Sequence, residues 1–176
     1  MIKNKIIVVL MFLSSFSYGD NRIDALYSRQ ELIADKLSKE VADDISIKHN
    51  LDFCGIGGSV HKEVEKVGLS FNCYRKLSVE DARELLVSCA ELYLQRINGS
   101  ADIRRYMHVY PFTEKELELR IFICSEEKGQ INYSDLVIVS LVCGKIKYKK
   151  WKTEDTLETV LEETFEEAER IAREAK

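Results

Sequence analysis

Apolar positions along the chain change period several times, and each change predicts an element. Between Asn21 and Lys48, Ile23, Leu26, Tyr27, Ile33, Leu37, Val41 and Ile45 recur at helical spacings among Lys, Glu and Asp. That pattern predicts an amphipathic helix, irregular near Gln30. From Leu51 the period drops to two. Cys54, Ile56 and Val60 share one face of a strand over 51–60, and Val67, Leu69, Phe71 and Cys73 share one face of a second over 67–77.

Ser78 then reads as an N-cap, with Glu80 and Asp81 in the first turn facing the positive end of the helix dipole. Val79, Ala82, Leu86, Cys89, Ala90, Tyr93 and Ile97 form the stripe of this second helix. Asn98-Gly99 predicts its end, with Gly99 suited to a left-handed C′ position. Asn98-Gly99-Ser100 also matches an N-glycosylation acceptor, but the cap explains the same residues more simply. Residues 100–114 are irregular and hold the one proline, Pro111.

Three strands follow, over 115–125, 132–142 and 145–151. Thr153, with Glu154 and Asp155 after it, predicts the cap of a last helix whose apolar side is Leu157, Val160, Leu161, Phe165, Ala168 and Ile171. The order α-ββ-α-βββ-α predicts an α+β fold: a single two-layer domain over 20–176. In it about three helices pack on an antiparallel sheet of about five strands, a hairpin plus a three-strand meander.

Turn positions sort the two faces of that sheet. A two-residue turn at Cys143-Gly144 sets Leu141 opposite Ile146 and Val139 opposite Tyr148. A loop centred on Gly129 sets Leu117, Leu119 and Ile121 opposite Leu141, Val139 and Val137, so both hairpins turn the same face to the core. The other face reads Glu118–Ser140–Lys147, Arg120–Ile138–Lys149 and Phe122–Leu136–Trp151. The last row is apolar on the wrong side and calls for a cover. Either the first helix wraps over it, or a partner does, another protein or a second copy in a homodimer. Trp151 and Phe122 are the anchor types such interfaces favour. The candidate interaction surface is therefore Phe122, Leu136, Ile138 and Trp151, with Lys147 and Lys149 beside them. The run from Lys145 to Lys152 is the one basic island, and its simplest reading is an edge strand guarded by lysines against aggregation.

Charge and the N-terminus change the picture of where the chain works. A basic start with Lys3 and Lys5, the apolar run Ile6 to Leu13, and small residues at Ser17 and Gly19 are the parts of a secretory signal peptide over residues 1–19. The run is too short to cross a bilayer core, which takes about 20 residues. The expectation is export, periplasmic or secreted, with no membrane span once the signal is removed. The whole chain has 26 basic and 30 acidic residues, a net −4; removing Lys3 and Lys5 leaves 24 and 30, a net −6. That balance argues against nucleic acid as a partner. At 45% hydrophobic and 32% charged, the composition also excludes a disordered chain.

Chemical motifs are weak. Five cysteines in an exported chain invite disulfides. A first hairpin turning between Glu63 and Val64 puts Cys54 opposite Cys73, where a cross-strand disulfide and two buried thiols fit equally well. Cys124 and Cys143 fall at opposite ends of the meander and are expected free. Gly55-Ile-Gly57-Gly58-Ser59 lacks the Lys-Ser/Thr of a phosphate loop and reads as a strand that another backbone approaches closely or that forms a bulge. No metal-ligand spacing and no cofactor motif is present. The sequence reading is thus a non-enzymatic protein-binding or assembly module. Its rival is a thiol-dependent enzyme using Cys54, Cys73 or Cys89.

Overall fold

The structure, a computed structural model, describes residues 28–124 and 134–175. The signal-peptide reading, the first turns of the expected N-terminal helix and the Gly129 loop lie outside these residues. Ten elements follow in order: α1 (Arg29–His49), β1 (Asp52–Val60), β2 (Val64–Cys73), α2 (Val79–Gly99), a short α3 (Ala101–Arg104), β3 (Leu117–Ile123), β4 (Leu136–Val142), β5 (Lys145–Thr153), β6 (Thr156–Thr164) and α4 (Phe165–Glu174).

The two long helices start at capping boxes. Ser28 accepts from the Glu31 backbone and Ser78 from the Asp81 backbone, while each acidic side chain reaches back to its cap. Helix α1 ends at Asn50, whose left-handed φ of 52° lets its N–H reach the Ser46 carbonyl. Helix α2 ends differently from the sequence expectation. Gly99 is its last helical residue, and Ser100, in extended conformation, leads straight into α3. The end is held instead by the Asn98 amide, which donates to the Phe112 carbonyl at 2.9 Å and accepts from the Phe112 N–H at 2.8 Å.

The fold is α+β and two-layered, with three corrections. First, the sheet has six strands in the order β1-β2-β3-β4-β5-β6 and is mixed: β2 and β3 run parallel, joined through α2, while every other pair is antiparallel. A parallel pair needs a crossover of this kind, so hairpin and meander fuse into one sheet.

Second, residues 156–164 form β6 rather than the first turns of the last helix. Helix α4 starts at Phe165, capped by Thr164, whose hydroxyl accepts from the Glu167 N–H at 3.2 Å. In a helix, Glu158–Glu162 and Glu163–Glu167 would be like charges four residues apart, which destabilise it. In the strand, Glu162 instead meets Lys145 at 2.9 Å and Lys147 at 3.3 Å across the β5–β6 ladder. The lysine strand β5 is therefore internal, and β1 and β6 are the edges.

Third, β3 and β4 pair two residues away from the expected register, with Leu119 opposite Leu141 and Phe122 opposite Ile138. A slip of two leaves every side chain on its predicted face. The β4–β5 turn is as expected: Cys143 and Gly144 take φ of 51° and 74°, the left-handed pair of a type I′ hairpin.

Val67, Leu69, Phe71, Leu117, Leu119, Ile121, Val139, Leu141, Ile146 and Tyr148 line one side of the sheet and join Val41, Ile45, Leu86, Ala90, Tyr93 and Ala168 of the helices in one core. Helix α1 is tied to α2 inside it by a buried Ser38–Tyr93 hydroxyl pair at 2.6 Å. A charged pair enters this layer: Glu163 of β6, held by the equally buried Arg83 of α2 through its Nε at 2.8 Å and by the Tyr148 hydroxyl.

Candidate interaction face

Alternation places the intervening strand residues on the side away from the core. Across the strands they form two rows: Ser70–Arg120–Ser140–Lys147–Glu162 and Asn72–Phe122–Ile138–Lys149–Thr159. Phe122 and Ile138 are partly buried, yet among the described residues neither they nor Trp151 belong to the core or pack against it. The long helices lie on the opposite side, where their buried residues meet the strands' inward rows. Among the described residues the first helix does not supply the expected cover: α1 packs on α2, β1 and β2 through that core.

Leu136 corrects the candidate list. Between Leu136 and Ile138 the β4–β5 register shifts, so Leu136 pairs with Lys150 rather than Trp151. The extra residue of such a bulge reverses the alternation, and Leu136 sinks into the core at 4% exposure. The outer row is broken there. Trp151 instead pairs with Leu157 of β6, in a part of the β5–β6 hairpin that runs past the end of β4. The apolar surface is thus Phe122 and Ile138, with Trp151 and Leu157 on the adjoining arm.

Charge completes the face. Glu118 is shared by Lys66 (3.7 Å) and Arg120 (3.1 Å), and Glu162 by Lys145 and Lys147. The two lysines hold the Glu162 carboxyl below the usual range. Lys149 makes no ion pair among the described residues. Lys66 also donates to Cys143 Sγ at 3.3 Å, and that sulfur, first among its neighbours, pushes the ammonium pKa up. Five cations thus face two carboxylates. Arg120 already stood in an outer row of the sequence reading and Lys145 opened its basic island; Lys66 and Glu162 were not singled out, although the period-two alternation of β2 around Val67 already assigns Lys66 to this side.

The cysteines separate. Phe53 pairs with Phe71 and Gly55 with Ser70, so Cys54 is the unpaired residue of a bulge and is exposed. Cys73 lies beyond the stretch of β2 that pairs with β1, buried and opposite Ile123 of β3, and the expected Cys54–Cys73 opposition does not form. The hairpin turns at His61–Glu63, earlier than expected, which moves the register by two to three residues. Desolvation, and then the neighbouring Cys124, push the Cys54 thiol up, and burial pushes the Cys89 thiol up to about 12. The three histidines serve elsewhere. His49 bonds Ser88 Oγ at 3.2 Å, His108 pairs with Glu63 at 2.9 Å, and His61 lies in the β1–β2 turn. Among the described residues no histidine is hydrogen-bonded to a thiol, and no cluster of three His, Cys, Asp or Glu could hold a metal ion.

No family model matches the chain, and no curated protein or solved structure matches it.

Proposed function

We propose that the chain is an exported, non-enzymatic protein-binding module that takes its partner on the open face of the sheet. The observation that carries this reading is one-sidedness. The helices cover one side of a six-stranded sheet, and Phe122 and Ile138, joined by Trp151 and Leu157, lie on the other without core contacts. Aromatic anchors beside charged side chains are residue types that protein interfaces favour.

Photo-crosslinking tests the face. A crosslinker at position 122 or 149 should trap a discrete protein in the compartment where the chain resides. The same group at the exposed Glu84 on α2 should not. With the crosslinker at 149, a Phe122→Ala/Ile138→Ala variant with unchanged circular dichroism should lose the crosslink. Equal capture from both sides, or capture untouched by the double substitution, would sink the reading. For export, N-terminal sequencing of the mature chain should find Asp20 first.

A further inference from the structure

We infer that the partner taken by this face is an acidic protein segment in extended conformation; the inference rests on the face reading above and names its chemistry. The chain is acidic as a whole, net −4. The open face departs from that balance: Lys66, Arg120, Lys145, Lys147 and Lys149 stand against Glu118 and Glu162, an excess of three positive charges. Each carboxylate is already shared between two cations, so the surplus faces solvent. Sign complementarity across an interface steers encounter and suppresses wrong partners.

Spacing adds to sign. Lys145, Lys147 and Lys149 occupy alternate positions of one strand, so their stems leave the sheet about 6.6 Å apart. Like-facing side chains of any extended chain repeat at the same interval, so carboxylates at every second residue of a partner meet them in register. Phe122 and Ile138, in the row of Lys149, and Trp151 beyond it supply apolar contact at one end of this track.

The same charges weigh against a homodimer through this face. A two-fold contact sets each patch against itself, so an axis through the lysine row would press lysines against lysines, which is destabilising.

The chain carries its own reporter, because Trp151 is its single tryptophan. The full chain is titrated with a short soluble peptide in which Glu alternates with Val and Thr, with the counterpart bearing Lys for every Glu, with the uncharged Gln counterpart, and with anionic phospholipid vesicles. The acidic peptide should shift Trp151 emission saturably. A folded Lys147→Glu/Lys149→Glu variant should bind it about tenfold more weakly or worse, and Lys147→Arg/Lys149→Arg should retain binding. No response to the acidic peptide, an equal response to the Lys counterpart, or a response to vesicles alone overturns the acidic-segment assignment. If the Gln peptide moves Trp151 as well and charge reversal has no effect, the acidic assignment fails while the face remains a binding face. If the acidic peptide binds but leaves Trp151 emission and the charge-reversed variant's affinity unchanged, the site lies elsewhere and both fail.

Discussion

Glu163 is a carboxylate placed where water cannot solvate it, and its surroundings explain how it stays. Arg83 donates through Nε and Tyr148 through its hydroxyl, and the Arg83 guanidinium also lies 5.9 Å from the Tyr148 ring centroid. Burial, and then the adjacent carboxylate, push the Tyr148 phenol up, so it remains a donor. Removing one partner of such a pair leaves the other charge uncompensated, at a cost of about 3–5 kcal/mol, whereas replacing both with apolar groups costs far less. Urea denaturation should therefore find Arg83→Met destabilised by about that amount. Arg83→Met/Glu163→Leu should recover most of it. Additive losses in the double variant would show that the two groups act separately.

The histidines give opposite acid–base behaviour at the same scale. Desolvation, then Lys48 and Arg75, lower the His49 pKa below 6.5, while the Glu63 hydrogen bond raises that of His108. For His49 the unfolded chain binds the proton more readily, so its contribution to stability is full above about 6.5 and falls as the pH drops toward the lowered value. For His108 the contribution is full below 6.5 and is lost as the pH rises through the raised value. Proton NMR titration should place His49 below 6.5 and His108 above it. His49→Gln should flatten the acid side of the stability profile. Coincident titrations near 6.5 would remove both contributions.

At the level of elements, the cap of α2 and the type I′ turn were legible because each depends on a few adjacent residues, Ser78 with Asp81 and Cys143-Gly144, whereas the Ser28–Glu31 box that starts α1 lies inside the apolar stripe drawn from Asn21 and was not read. Strand β6 was harder to read. Thr153-Glu154-Asp155 and Thr164-Phe165-Glu166-Glu167 both resemble a helix start, and Leu157, Val160 and Leu161 fit a helical stripe. The contrary signal was present in the acids repeating every four residues, and its partners, Arg83 and the β5 lysines, are remote in sequence. The two threonines now make different predictions. Thr164→Ala removes a cap hydrogen bond and should cost about 1 kcal/mol. Thr153→Ala, at an exposed hairpin end, should stay within about 0.5 kcal/mol of the parent. Thermal denaturation of the two variants side by side decides it; the reverse order would restore the longer helix.

The candidate site was half legible for a related reason. Face assignment follows from alternation and survives a register slip of two, so Phe122, Ile138, Lys147 and Lys149 were placed correctly. It does not survive a bulge: the one at Val137 removed Leu136 from the face, and the one at Cys54 left that thiol unpaired after the earlier turn had already moved Cys73 out of register with it.

For the whole molecule, layering and charge go together. Helices and inward strand rows make a single core, and among the described residues the acidic surplus of the chain is absent from the side of the sheet that the helices do not cover. A sheet so divided has one pairing unlike the rest. Strands β1–β2 and β3 to β6 each join neighbours along the chain, but Val67 and Leu117, the first partners of the β2–β3 seam, are 50 positions apart. Closing that loop takes more conformational entropy than closing any hairpin here, and contacts of long separation slow folding. Two locally assembling halves therefore wait on one search. Gly68 sits on the seam, where an added Cβ would come within 2.9 Å of the Glu118 carbonyl oxygen. Gly68→Ala should cost about 1–3 kcal/mol, and in stopped-flow chevrons the loss should appear mainly in the refolding arm. A loss carried by the unfolding arm would mean that the halves meet late, after the rate is already set. On the expected outcome, the time this chain spends vulnerable after synthesis is governed by how fast its two halves find each other.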